Sequence, residues 1–203
     1  MGGMELRNLV HMLCDRVIKE KDHLTHFDQA TGDGDFGVNM ERGCQAIIGC
    51  LDKAQRSEDG EDILRLVGKT LNAAGCGTGG TLISAGILAG ASHIGDLKGF
   101  LEAALERIRL AGKANPGQKT LVDALSPAVD ALKRGAELEE VVRAAKTGAE
   151  ATQSMEGTLG RALYSQSRGR GIADPGAWLV GVLFDEGLHW QRSQKGSEIE
   201  KNH

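Results

Sequence analysis

Apolar residues recur along this chain at spacings of three and four, and no stretch sustains the period-two alternation of a half-buried strand. Leu6, Leu9, Val10, Leu13 and Val17 mark a first amphipathic helix, and Met40, Cys44, Ile47, Ile48 and Leu51 a second. Ile63, Leu64, Val67 and Leu71 give a third, Leu82 to Leu88 fall in a fourth, and Phe100, Leu101, Ala104, Leu105 and Ile108 give a fifth. Leu121, Val122, Leu125, Val129 and Leu132 predict a sixth helix, kinked or started late by Pro127. Leu138, Val141, Val142, Ala145 and Ala149 form a seventh, and Trp178, Leu179, Val182 and Leu183 an eighth. The pattern predicts one all-α domain over residues 1–190, a bundle of about eight up-and-down helices with antiparallel neighbours and short connections. The polar tail, residues 191–203, is expected to fray.

The unusual residues gather between the helices. "TGDGDFG" lies between the first and second, "GCGTGG" between the third and fourth, "AGKANPGQKT" between the fifth and sixth, and "GTLGRALYSQSRGRGIADPG" before the eighth. In an up-and-down bundle every second connection lies at the same end. Those four loops should therefore converge on one pocket.

Composition narrows the class. The chain has 203 residues, 40% hydrophobic and 26% charged, with a net charge of −4. That balance argues against a nucleic-acid surface or an anionic-membrane binder. No segment resembles a signal peptide, and the most apolar window, "GGTLISAGILAGASHIG", reads as a buried helix rather than a membrane span. Cys14, Cys44, Cys50 and Cys76 show no zinc-ligand spacing. They read as reduced thiols of a cytoplasmic protein.

Chemistry enters with Asp28, Asp33 and Asp35, three carboxylates within eight residues of a glycine-punctuated turn. Such a turn is either a solvated acidic loop or a cation site, because crowded like charges raise one another's pKa unless a cation lies among them. An EF-hand does not fit, since the required acids are missing from the following positions. The turn runs into a helix start near Val38 and Asn39, where backbone N–H groups favour phosphate. Carboxylates beside such a start suit a Mg²⁺–nucleotide. "GCGTGG" matches the dinucleotide fingerprint by letter but follows a helical pattern, so it is read as a turn in which Thr78 either donates to phosphate or caps a helix. "GQKT" is a near miss of the P-loop and is set aside. Arg161, Arg168 and Arg170 are either phosphate clamps or surface charges.

Taken together, "DQATGDGDFGVNMERG", "GKANPGQKTLVDALSPA", "GRALY" and "DPGA" resemble the nucleotide-binding L subunit of dihydroxyacetone kinase, over about residues 5–190. The resemblance implies a barrel of eight antiparallel helices with Mg²⁺, as two ions, and ADP or ATP held at one end. Asp28, Asp33 and Asp35 match the metal ligands. Phe36, Gly37, Val38 and Asn39 match nucleotide contacts, as do Gly77, Thr78, Gly112, Leu121, Asp174, Pro175 and Gly176. Arg161 matches a nucleotide contact that stabilises the transferred group. Two departures stand out: Phe36 replaces the family's usual histidine, and "GTGGTL" replaces a loop closer to "GASGPL".

The resemblance also implies a partner. In this family a histidine on a separate K subunit holds the ketose, and nothing here resembles that subunit. The phosphoryl donor is either consumed ATP or bound ADP rephosphorylated by a phosphotransferase-system phosphocarrier; a homodimer is a further option. The acceptor would be dihydroxyacetone or a related triose or tetrose. Two alternatives stand beside this reading. One is the nucleotide domain of a fatty-acid kinase, against which the chain's length and its "GRA…DPGA" ending argue. The other is a regulatory module that uses its nucleotide state to engage a protein.

Overall fold

The computed structural model describes residues 2–54, 59–164 and 169–201, and among them all regular structure is helical. Nine α-helices follow one another: α1 (Gly3–Lys19), α2 (Lys21–Thr31), α3 (Phe36–Lys53), α4 (Gly60–Ala73), α5 (Gly77–Gly90), α6 (Leu97–Gly112), α7 (Val122–Lys133), α8 (Leu138–Ala151) and α9 (Pro175–Lys201). Short 3₁₀ turns occupy Ala91–His93, Thr152–Ser154 and Gly160–Tyr164.

The ninth helix is α2, where the sequence pattern predicts none. Its segment "KDHLTHFDQAT" is largely polar, and only Leu24 and Thr31 are fully turned to the interior. Glu20 alone separates α1 from α2, and α3 packs along both. The two therefore act as one bent rod, so the alternation of up and down survives the extra helix. Each later helix packs on the one before it, and α9 returns to α1 and α2 to close the ring. Trp178 on α9 fixes that closure. Its Nε1 donates to Glu20 Oε2 at 3.3 Å, and its ring meets Phe27 edge-on at 5.1 Å.

Apolar faces turned inward supply the main stabilising term, about 1.5–3 kcal/mol for each large side chain fully buried. One part of the core gathers Leu6, Val10, Ile47, Ile63, Leu71 and Leu179. Another gathers Leu105, Ile108, Leu125, Val129, Ala177 and Val180, and Ile83 and Phe100 pack against both. Cys14, Cys44 and Cys76 are buried free thiols. A hydrogen bond with Cys14, together with burial, pushes the Cys44 thiol well above its ordinary range, so it is held as a neutral packing group.

Of the two readings of Pro127, the late start does not hold, since α7 begins at Val122 and carries the proline inside it. The non-helical stretch around the aspartates shrinks to Gly32–Asp35, since α2 runs through Thr31 and α3 begins at Phe36. Helix α9 runs on from its apolar first half through the polar residues beyond 190 to Lys201.

Candidate functional site

The loops after α2, α4, α6 and α8 meet at one end of the ring, and individual contacts join each to the next. From α3, Arg42 reaches the loop after α4: its Nε donates to Ala74 O at 3.0 Å and its Nη2 to Gly75 O at 2.8 Å. The same Nη2 donates to Asn39 Oδ1 at 2.7 Å, which fixes the amide of Asn39 facing Gly77. Gly112, the last residue of α6, faces Leu82 on α5. Leu121, after α6, faces Gly176 at the start of α9. Gly169, before α9, abuts both Thr31 at the end of α2 and the stem of Lys119.

The three aspartates come together from different elements. Asp28 stands on the last turn of α2, Asp33 in the turn itself, and Asp35 immediately before α3. One carboxylate oxygen from each lies within 4.8 Å of the others, and Asp33 and Asp35 face solvent. Asp28 Oδ2 accepts the backbone N–H groups of Asp35 at 3.0 Å and Phe36 at 3.1 Å, so the turn is folded around this side chain. A convergent, all-oxygen set of carboxylates, two of them exposed and Asp28 half-buried behind them, is the donor chemistry that suits Mg²⁺, with room left for phosphate and water. In the absence of a cation, the same convergence is electrostatically unfavourable.

The other expected residues divide by exposure. Phe36 and Gly37 open α3 but are buried, Asn39 is buried behind Arg42, and Val38 stands 45% exposed at the rim. Gly77 and Thr78 form the exposed start of α5, where Gly77 has a left-handed φ of 66°. Leu121 turns its side chain into the core, so only its backbone faces the loops. Asp174 caps α9: its Oδ1 accepts the Ala177 N–H at 2.7 Å, and Pro175 takes the first helical position, where no N–H is needed. Burial among the packed loops pushes the Asp174 carboxyl up to about 7, although the Ala177 N–H and the Lys119 ammonium pull it down. Arg161 lies in the turn Gly160–Tyr164, but its side chain is outside the described residues, as is the whole of Arg168. Arg170 pairs with Glu156 at 2.6 Å rather than with the aspartates.

The sequence reading passes over four residues of this end: Arg42, Lys119, Asp123 and Thr152. Asp123 had a local signal. Thr120, followed three residues later by an acid and then apolar positions, has the form of a capping box. Accordingly Asp123 Oδ2 accepts the Thr120 N–H at 2.8 Å, and Thr120 Oγ1 accepts from Val122 N at 3.2 Å. The other three act on backbone carbonyls or amides distant in sequence, which no local spacing encodes.

Comparison with known proteins gives a consistent family. A family model described as the DAK2 domain matches residues 30–188. The ADP-binding subunit DhaL of PEP-dependent dihydroxyacetone kinase 1 from Listeria innocua serovar 6a is 34% identical over 177 residues, covering 84% of this chain and 87% of that subunit. Dihydroxyacetone kinase of Komagataella pastoris is 32% identical over 192 residues, and triokinase/FMN cyclase of Mus musculus 31% over 200. This chain spans only 31% and 35% of those two longer proteins. Among solved structures, dihydroxyacetone kinase of C. freundii, both native and in complex with AMP-PNP and Mg²⁺, superposes with a TM-score of 0.73 at 24% identity. The match covers 89% of this chain and 33% of that one, and it shows that the helical fold is shared. With the domain match running through Asp33 and Asp35, the converging loops and the cap of α9, this chain belongs to the DAK2-domain family, which includes the L subunits of dihydroxyacetone kinases.

Proposed function

We propose that this chain is the nucleotide-holding subunit of a dihydroxyacetone-kinase-type phosphotransferase, which passes a phosphoryl group to a small ketose carried by a separate sugar-binding subunit. The observation that carries the reading is the convergence of Asp28, Asp33 and Asp35 within 4.8 Å beside the start of α3, at the end of the ring where the four loops meet. The Listeria subunit, matched over most of both chains, is described as ADP-binding. The C. freundii enzyme of the same fold is described with AMP-PNP and Mg²⁺.

In this reading Asp28, Asp33 and Asp35 would hold Mg²⁺, which would supply positive charge against the phosphates. The chain's own residues bind and orient. Asp28 is fixed by two backbone N–H groups, so one carboxylate is preorganised before any nucleotide arrives. Helix starts at Gly37–Val38 and Gly77–Thr78 turn backbone N–H groups towards the loop end, where anionic oxygens are favoured. Arg161 supplies a guanidinium for the transferred group. The description of the Listeria subunit as ADP-binding within a PEP-dependent kinase favours a resident ADP rephosphorylated by a phosphocarrier over consumption of ATP.

Among the described residues no covalent sugar site is assignable beside this machinery. The histidines lie on helices and the 3₁₀ turn among the described residues, and His26, near the aspartates, packs against Phe27. The test is phosphate transfer to dihydroxyacetone and erythrulose, with the pure chain and with a sugar-loaded K-type subunit added, each supplied in parallel with MgATP and with MgADP plus a phosphorylated phosphocarrier as the phosphoryl donor. Binding of MgADP by the pure chain, with turnover only in the mixture, is the expected result. Robust turnover by the pure chain would place the sugar site here and overturn the division of labour.

A further inference from the structure

Lys119 is buried to 3% exposure in the loop between α6 and α7. A lysine side chain so enclosed is costly unless its ammonium is fully engaged. Here Nζ donates to Thr152 O at 2.5 Å and to Ile172 O at 2.6 Å, residues at the two ends of the loop between α8 and α9. To make that reach, the backbone at Lys119 takes a left-handed φ of 60°, which is unfavourable for a residue with a Cβ. Thr152 is itself completely buried. Its hydroxyl donates to Ala149 O at 2.6 Å and accepts the Asp174 N–H at 2.9 Å. Gly169 closes over the lysine stem: a Cβ there would lie 2.8 Å from Lys119 Cε and 2.1 Å from Thr31 Cγ2. Thr31 ends the helix that carries Asp28.

The ammonium thus sits at a node joining three segments: the end of α2, the loop holding Leu121, and the loop leading to Asp174–Gly176. Asp123 and Asp174 supply the nearby negative charge. Desolvation pulls the lysine's pKa down while these two acids pull it up. The helices of the ring have their own cores, so the node orders loops rather than the barrel. Its two short hydrogen bonds are spent on carbonyls, which leaves Lys119 to act through the loop it braces.

We propose that Lys119 is a positioning residue for nucleotide binding, holding the α8–α9 loop and the capped start of α9 against the α6–α7 loop. The inference rests on the proposed nucleotide role and adds to it a residue outside the expected contacts. It separates two affinities. The aspartate triad is built from α2, its turn and α3, so metal binding alone should not depend on the brace.

The experiment compares the full chain with Lys119→Met, which keeps the stem's volume and removes the ammonium. MgADP binding is measured by calorimetry, and Mn²⁺ binding without nucleotide by electron paramagnetic resonance. We expect the MgADP Kd to rise about tenfold, with Mn²⁺ affinity and circular dichroism unchanged. In Lys119→Ala, n-propylammonium should restore MgADP affinity saturably, whereas n-propanol should not, since the missing function is a charged donor and not volume. Wild-type MgADP affinity in Lys119→Met overturns the inference, as does equal rescue by the alcohol. Should the lysine variants fail to fold, Thr152→Val decides. It removes the hydroxyl that ties the Asp174 N–H to the same node while leaving the Lys119 bonds to the Thr152 and Ile172 carbonyls in place, so a fall in MgADP affinity with unchanged Mn²⁺ affinity supports the loop ordering the inference requires, and unchanged MgADP affinity shows that the start of α9 needs no such ordering and overturns it. Failure of the wild-type chain to bind MgADP would instead sink the proposed function, and this inference with it.

Discussion

The ring of Phe36 rests directly on Gly79: a Cβ placed at Gly79 would lie 2.4 Å from Phe36 Cε2 and 3.1 Å from Cδ2. Phe36 opens α3 beside the aspartates, and Gly79 belongs to the first turn of α5. These are the two places where the chain departs from its family's usual letters, and they prove to be one contact. With the Phe36 ring buried here, any side chain at Gly79 would collide with it.

This relationship predicts coupling. Gly79→Ser should push the ring aside and destabilise the fold by about 1–3 kcal/mol, the usual cost of overpacking. In the Phe36→His background, where the facing ring is smaller, the same change should cost less. Denaturant midpoints for the four proteins of the cycle measure the difference, and an interaction of about 0.5 kcal/mol or more is expected. Additive effects would mean that the two departures are independent.

The aspartates make the next prediction. Asp33→Ala removes one exposed carboxylate of the three without touching the core, so the helical circular dichroism should be unchanged. MgADP affinity should fall about a hundredfold, or about 2.8 kcal/mol. Wild-type MgADP affinity in this variant, read by calorimetry, would remove the triad from the site.

What the sequence made legible follows from where each signal resides. The helix α3 was readable because Met40, Cys44, Ile47 and Leu51 repeat at helical spacing and all are buried. By contrast α2 was not, because its only fully enclosed apolar side chain is Leu24 and the rest of its inward face is a threonine and half-buried residues. The aspartates were legible as a cluster, since their separation along the chain is short, but the helix under Asp28 was not. Lys119 lies in "GQKT", set aside as a near miss of the P-loop, and nothing local reveals its role, because its partners lie 33 and 53 residues away as backbone oxygens. Leu121 shows the converse. The motif that names it as a nucleotide contact is plain in the sequence, yet its side chain serves the core.

Ligand linkage gives a prediction that needs no variant. Anything that binds the folded chain and not the unfolded one stabilises it by mass action, by about 2.7 kcal/mol at a hundredfold excess over Kd. For a domain of this size that raises the melting temperature by about 5–10 °C. Mg²⁺ and ADP together should give the full shift and ADP without a divalent cation little of it, because the three carboxylates then repel the phosphates. Differential scanning fluorimetry with each component alone and both together would show it. A melting point indifferent to the pair would count against the site.

The final prediction concerns pH and Asp174. Burial raises its carboxyl to about 7 from an ordinary 3.8, so the folded chain holds this proton more tightly than the unfolded chain does. The group's contribution to stability is therefore complete below about pH 4 and is lost as the pH rises to 7. Asparagine mimics the protonated acid and remains a good helix N-cap, so Asp174→Asn should keep the bond from Ala177 N–H while removing the titration. Relative to the parent, the variant should gain stability steadily between pH 4 and 7 and hold the gain above 7. The other carboxylates, present in both proteins, cancel in that difference. Urea midpoints at pH 4.5, 6 and 7.5 measure it. Parallel profiles for the two proteins would show that the Lys119 ammonium already keeps Asp174 ionised across this range, and that its burial costs nothing in protonation.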